Sequence, residues 1–230
     1  MSEAAKQHIK EYGYAFFQSL NPDSSTMEVA MMFGTPLEVS KQIGHRNIPD
    51  IQSLKPRQKS DNLKNQYSGH FGVGEFPLHT DLAHWSYPPR YLLLRCIVGS
   101  MSVTTNYIHI DKLKKIIGNS MFKKSVVKIR KSRAFATNCL LPTSFFSGGV
   151  EGIRWDSLFL SPMNNSANKI ANYLCQEGIQ SNLDHVILKN TGDTIIIDNW
   201  KMLHGRGAVG IQELGRIIER AYLTDLEGKI

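Results

Sequence analysis

The chain has no apolar run that could cross a bilayer, for which about 18 residues would be needed. Its first residues, Met1 to Lys6, lack the apolar core of a secretory leader. No membrane association and a cytoplasmic location are therefore expected. Cysteine is scarce: Cys96, Cys139 and Cys175 lie far apart. They make neither a disulfide framework nor a Cys-x-x-Cys metal pair, and buried thiols in a reducing compartment are expected. Internal repeats and low-complexity segments are absent. The glycine-rich stretch from Tyr67 to Gly74 is not a phosphate-binding loop, because no Gly-Lys-Ser/Thr follows and no helix is expected to begin there. Its glycines are expected to let the backbone pass close to something bulky. Disorder is excluded by 41% apolar and only 20% charged residues, and 230 residues suit one domain, 1–230.

Acidic residues are missing from one stretch altogether. Between Lys112 and Arg133 the chain carries Lys112, Lys114, Lys115, Lys123, Lys124, Lys128, Arg130, Lys131 and Arg133, which concentrates much of the net charge of +7. Such a run makes a local positive field that draws an anionic substrate or an acidic partner, and it is also how a plain solvated basic face looks. With little aromatic interleaving and no nucleic-acid module, a nucleic-acid partner is not expected. A homo-oligomer is compatible with the sequence.

What the chain does have is many short β signals and a few helices. Residues 3–12 read as a helix ended by Gly13, and Tyr14–Phe17 as a strand. Ser25-Thr26-Met27-Glu28 reads as a capping box opening a helix that stops near Gly34. Tyr91–Val98 is nearly all apolar, so it reads as a strand buried on both faces. Further strands are expected at 102–108, 125–130, 154–160, 185–188, 194–198 and 216–223. Asp111 is expected to cap a short helix at 112–117, and Asn164 or Asn165 to begin one ended by Gly178. This mixture suggests a β-sandwich or open barrel with helices packed outside.

Two separated stretches carry metal-ligand chemistry. In Phe76-Pro77-Leu78-His79-Thr80-Asp81, an extended backbone points His79 and Asp81 the same way and Thr80 away. The second stretch, Asn199 to Arg206, follows a core strand and offers His204. Two imidazoles and one carboxylate form a facial triad that leaves metal positions open, as in non-haem Fe(II) oxygen chemistry. Beyond His204 come Arg216 and Arg220. On a strand they share a face about 13 Å apart, and a guanidinium fork suits carboxylates. Solvent-facing arginines would give the same pattern.

Together these segments resemble the TauD/TfdA family of Fe(II)- and 2-oxoglutarate-dependent dioxygenases, within the clavaminate synthase-like superfamily. The likeness is carried by Phe76–Asp81, Tyr87-Pro88-Pro89-Arg90-Tyr91, Asp198-Asn199-Trp200 through His204-Gly205-Arg206, and Arg216-x-x-x-Arg220. Tyr14 and Gly34-Thr35-Pro36-Leu37 are similar to the family's N-terminal pattern. The resemblance runs from about residue 10 to 224 and implies a mainly β fold with peripheral helices (α+β), a distorted double-stranded β-helix or cupin-like jelly roll. It implies Fe(II) held by His79, Asp81 and His204, and 2-oxoglutarate chelating the iron, its far carboxylate on Arg216 with help from Thr104 or, as second choice, Thr105. Arg220, and Arg154 from the lid side, would bind substrate, and residues 112–190 would form a partial lid or insert.

The activity so implied uses O2 to hydroxylate an unactivated C–H bond of a small, anionic, amino-acid-like or carrier-tethered metabolite, releasing succinate and CO2. A carboxylate at Asp81 favours hydroxylation over halogenation. The alternatives are a Zn(II) hydrolase or isomerase using the same three ligands, or a non-catalytic binding domain.

Overall fold

The computed structural model describes residues 3–43, 48–60, 66–130 and 139–228. Its elements in chain order are α1 (Glu3–Tyr12), β1 (Tyr14–Phe17), α2 (Thr26–Phe33), α3 (Val39–Ile43), β2 (Gln52–Leu54), α4 (Tyr67–Phe71), β3 (Phe76–His79), β4 (Tyr91–Val98), β5 (Thr104–His109), α5 (Ile110–Ile117), α6 (Asn119–Lys124), β6 (Val126–Ile129), β7 (Leu140–Pro142), β8 (Ser144–Ser147), β9 (Val150–Ile153), β10 (Leu160–Pro162), α7 (Asn165–Leu174), β11 (Asp184–Ile187), β12 (Thr194–Asp198), β13 (Met202–Arg206) and β14 (Ile217–Leu223).

Two antiparallel sheets form the barrel. The larger has the order β1-β12-β4-β14-β2 and the smaller β11-β5-β13-β3. Strands distant in sequence are neighbours, as a jelly roll requires. Leu92, Leu94 and Cys96 of β4, Ile195 and Ile197 of β12, and Ile218 and Tyr222 of β14 point between the sheets. There they meet Tyr107 of β5 and Met202 of β13. The alternate residues Leu93, Ile196, Ala221 and Leu223 face outward and are covered by Ile9, Val29, Ala30 and Phe33 of the first two helices. With both faces covered, β4 and β12 need apolar residues at most positions, Arg95, Thr194 and Asp198 being buried exceptions, which is why they read as nearly continuous runs. The capping box forms as expected: the Ser25 side chain accepts from the Glu28 N–H, and the Ser25 N–H donates to the Glu28 carboxylate at 2.8 Å.

Most of 112–190 packs on the outer face of the smaller sheet. Leu113, Phe122, Val127, Ile153, Trp155 and Ile170 close over Leu78, Ile108 and Leu203. Here the structure corrects several expectations. Residues 154–160 are not one strand. β9 ends at Ile153, and Asp156 Oδ1 then accepts the Leu158 and Phe159 N–H groups at 2.7 and 2.9 Å, which folds a turn. Trp155 gains burial without a ladder and pairing resumes only at Leu160, opposite Ile129, so apolar content overstated the strand. A five-residue helix, α4, does begin in the glycine-rich stretch. α5 is capped by the His109 ring, which accepts from the Asp111 N–H at 3.1 Å, so Asp111 belongs to the first turn. Only Cys96 is buried, Cys139 and Cys175 being exposed. Of the basic run, Lys131 and Arg133 lie outside the described residues. Lys115, Lys123, Lys124 and Arg130 are exposed, and Lys114 pairs with Glu151 at 2.6 Å. Among the described residues no helix is long and apolar enough to cross a membrane.

Candidate active site

Strand register creates the site. β3 pairs with β13 so that His79 stands directly opposite His204. Met202, on the same side of β13 as His204, belongs to the inter-sheet core, whereas Leu203 belongs to the outer cluster. The two imidazoles therefore face inward. Asp81, just past the end of β3, turns its carboxylate to the same centre. Nε2 of His79 is 3.4 Å from Asp81 Oδ1, and Nε2 of His204 is 3.9 Å from Oδ2. Ligand atoms of all three lie within 4.8 Å of one another. Relative exposures of 5 to 6% remove the cluster from bulk water.

The main chain around Asp81 is fixed from two sides. The Thr80 N–H donates to Trp155 O at 2.7 Å. The buried Asn199 side chain accepts from the Asp81 N–H at 2.9 Å, and its Nδ2 donates to Asp81 O at 3.1 Å and Pro89 O at 2.8 Å. The carboxylate is held as well. Arg220 Nη1 donates to Oδ1 at 3.2 Å and Oδ2 at 3.0 Å, and the Tyr222 hydroxyl donates to Oδ2 at 3.1 Å. Arg220 Nη2 in turn donates to Gln52 Oε1 at 2.5 Å, from the strand paired beside it.

Charge in this cluster follows from burial and neighbours. Burial alone would raise Asp81, but the Arg220 guanidinium, then the hydrogen bond with His79 and the charge of His204, hold it far below the usual carboxylate range. Burial pushes His204 down to about 3, helped by the charge of His79. Burial also works to lower His79, yet the hydrogen bond and charge of Asp81 outweigh it and raise the group.

The donor set fits a divalent ion. His79 Nδ1 lies 2.8 Å from Pro77 O, so in the neutral ring Nδ1–H donates and Nε2 turns its lone pair to the centre. There it meets a carboxylate oxygen and a second imidazole, all acceptors, and a metal cation satisfies them together. Two nitrogens and one oxygen with further positions free suit non-haem iron.

Arg216 stands where the chain enters β14. It is 6% exposed, its Nε has no hydrogen-bond partner, and no carboxylate pairs with it among the described residues. Burial pulls it down to about 10, so it is still charged near neutral pH. Arg206 lies close enough for its own value to be lowered by Arg216, after burial. A buried cation with a like-charged neighbour, felt by the exposed Glu213 but with no carboxylate in direct contact among the described residues, suits an anion. Of the two threonines, Thr105 is buried, is opposite Arg206 in the β5–β13 register, and shares strand parity with inward-facing Tyr107. Thr104 has the opposite parity, and its Oγ1 abuts Gly207.

Arg154 does not reach the centre as a free cation. It is 1% exposed and donates to the carbonyls of Ala83 at 3.1 Å, Ser86 at 2.7 Å and Trp85, with its guanidinium 4.6 Å from the Phe145 ring centroid. It shapes the loop after Asp81. Sequence reading also missed Asn199 and Tyr67, whose ring stacks on His79 at 4.2 Å between centroids. Asn199 lay inside a quoted motif, but its task is visible only through contacts 118 residues away. An open groove of about 370 Å³ near Phe16 and His185 lies apart and holds none of these residues.

No family model and no curated protein matches the chain. Solved structures do. An asparagine oxygenase in complex with Fe(II), 2S,3S-3-hydroxyasparagine and succinate aligns with TM-score 0.67 at 13% identity, covering 96% of this chain and 78% of that one. The non-haem iron oxygenase OrfP, in complex with Fe and alpha-ketoglutaric acid, aligns with TM-score 0.64 at 18% identity over 98% of this chain and 82% of its own. OrfP with Fe, succinate and (3S)-hydroxy-L-Arg gives 0.63 at 18%, over 98% and 81%. The chain thus has the fold of the non-haem iron oxygenases. More particularly, it has the double-stranded β-helix expected from the sequence, shared over nearly its whole length with the asparagine oxygenase and OrfP.

Proposed function

We propose that the protein is an Fe(II)- and 2-oxoglutarate-dependent oxygenase that hydroxylates a C–H bond of a small amino-acid-like substrate. One observation carries this reading: His79, Asp81 and His204 converge at a buried centre on the fold of the oxygenases. His79 and His204 would bind iron through Nε2 and Asp81 through one carboxylate oxygen. Arg216, with Thr105 ahead of Thr104, would take the far carboxylate of 2-oxoglutarate. Bound there, iron and 2-oxoglutarate supply O2 activation, with succinate and CO2 released. The chain's own part is to position and shield. Asn199 and the Thr80–Trp155 rung fix the Asp81 backbone, Arg220 and Tyr222 fix its oxygens, and burial excludes water.

Arg220, at the rim of this cluster, has both Nη groups engaged by Asp81 and Gln52, and its unpartnered Nε is the donor left for a substrate carboxylate. The structural neighbours' amino-acid products favour a substrate of that class. No substrate role is given to Arg154. Residues 1–230 would work as one oxygenase domain with 112–190 walling the smaller sheet, and the exposed Lys115, Lys123 and Lys124 would steer an anionic substrate or acidic partner. The test is anaerobic addition of Fe(II) and 2-oxoglutarate. A weak visible charge-transfer band is expected in the wild type and lost in His204→Ala, and its absence from the wild type would sink the proposal.

A further inference from the structure

We infer that the outer face of the small sheet β10-β6-β7 docks an acidic amphipathic helix of another protein, an inference that goes beyond the oxygenase reading and does not depend on it. The three strands pair antiparallel in that order. One face is closed: Val127, Ile129 and Leu160 belong to a buried cluster, and Leu141 packs against it. Alternate residues point the other way. Lys128 pairs with Leu140 on one side and Ser161 on the other, and Val126 pairs with Pro142. The Met163 N–H, just past β10, donates to Val126 O at 2.9 Å, so the register continues through it. None of Val126, Leu140, Pro142 and Met163 belongs to a buried cluster, and Leu140 and Met163 are 56% and 49% exposed.

The layout selects the partner. Met163, Val126 and Pro142 make an apolar row across three strands, about 10 Å long at ~4.8 Å per strand. Cations bracket it. Lys123 and Lys124, both exposed, end α6 on one side, where the Asn164 side chain donates to Lys124 O at 2.7 Å and holds that end beside Met163. Lys128 and the exposed Arg130 continue from Val126 on the other side. Residues two apart on a strand are separated by about 7 Å, so the two groups of cations leave room between them for a helix about 10 to 12 Å across. A helix laid along the row sets its apolar stripe on Met163, Val126 and Pro142 and an acidic flank against each group of cations. The charge is of one sign: no Asp or Glu occurs from Lys112 to Val150 or from Ser157 to Gln176. A solvated basic face would explain the lysines but not the apolar row between them. A nucleic acid would pair its phosphates with the cations and leave the row wet. A partner seated here stands beside the candidate site, because the Arg130 N–H donates to Phe159 O at 2.8 Å and Phe159 lies 6.3 Å from Tyr67 between ring centroids.

The experiment is fluorescence anisotropy with a labelled synthetic helix that carries leucines at i, i+3, i+4 and i+7 and glutamates on both flanks. A scrambled peptide of the same composition, duplex DNA and phosphatidylserine vesicles are compared with it, all without added metal. The acidic helix is expected to bind at least about 10-fold more tightly than the scrambled peptide, and Lys128→Glu and Met163→Asp are each expected to weaken it by about 10-fold or more. Amide exchange of the wild type is expected to slow on peptide binding in 126–129, 140–142 and 160–163. No binding of the acidic helix, equal binding of the scrambled peptide, tighter binding of the duplex or the vesicles, variants that bind like the wild type, or protection confined elsewhere overturns the inference. If Met163→Asp does not fold, Lys128→Glu and the exchange map decide. With neither metal nor 2-oxoglutarate present, failure here leaves the oxygenase reading untouched.

Discussion

The Asn199 side chain pairs with the main chain of Asp81 as a neighbouring strand would, accepting from its N–H at 2.9 Å and donating to its carbonyl at 3.1 Å. Asp81 lies just beyond β3, where the ladder has ended, so this amide replaces the missing rung. Asn199→Ala is expected to weaken Co(II) binding by about 10- to 100-fold, as loss of a group supporting a metal ligand does. It should also cost ~1–3 kcal/mol of stability for buried backbone groups left unpaired. A Co(II) titration followed by its visible absorption measures the first and thermal melting the second. Unchanged Co(II) affinity would show that Asp81 holds its place without the clamp.

Arg216 is a buried cation whose Nε has no hydrogen-bond partner. Arg216→Ala is expected to weaken 2-oxoglutarate binding by about 100-fold while Co(II) affinity stays within a few-fold. Arg216→Lys should recover part, because it keeps charge and loses the fork. Titrating 2-oxoglutarate into the anaerobic Fe(II) protein separates the two effects. Equal affinity in wild type and Arg216→Ala would remove the residue from the co-substrate site.

The two neighbouring threonines differ in which way they face. Thr105→Val is expected to raise the KM for 2-oxoglutarate by about 10-fold, the value of one hydrogen bond to a charged group. Thr104→Val should leave it nearly unchanged. The reverse order would show that strand parity misled the assignment.

Arg154 supports three carbonyls of the loop after Asp81. Arg154→Met keeps much of the stem's packing but strands those carbonyls, so a loss of about 3 kcal/mol or more is expected in denaturant unfolding. A variant of wild-type stability with a raised KM for substrate would restore Arg154 as a substrate ligand.

Gly205 lies between His204 and Arg206, where β13 slips register against β3. A Cβ there would meet Phe76 O at 2.5 Å and Pro77 O at 3.3 Å. Gly205→Ala is expected to push the strands apart, lowering the melting temperature and Co(II) affinity together. Loss of either alone would contradict a shared origin in the spacing of β3 and β13.

The residue types of the candidate metal site were legible because their spacing is dictated by local geometry, His79 and Asp81 by strand parity, and Arg216 and Arg220 by their four-residue spacing, although Arg216 precedes β14. The Ser25 capping box is equally local, and so was read correctly. What escaped depends on tertiary neighbours. Arg154 and Arg216 look alike in sequence, and only the carbonyls around the former distinguish a brace from a binder. The turn at Asp156 hides within an apolar pattern, because Trp155 is buried by outside packing rather than by ladder pairing and the ladder resumes only at Leu160. His109 took the capping role from Asp111 because its ring folds back on the next turn.

The rung that joins His79 to His204 has one more meaning. Its strands come from opposite halves of the chain, and its register is already loosened by the extra residue of β3 opposite Gly205. An ion bound across it is a clasp on the smaller sheet. Under this reading iron starvation would do more than silence the chemistry: it would unfasten the barrel at its weakest seam, and β3 and β13 would be the first strands to exchange their amide hydrogens with solvent.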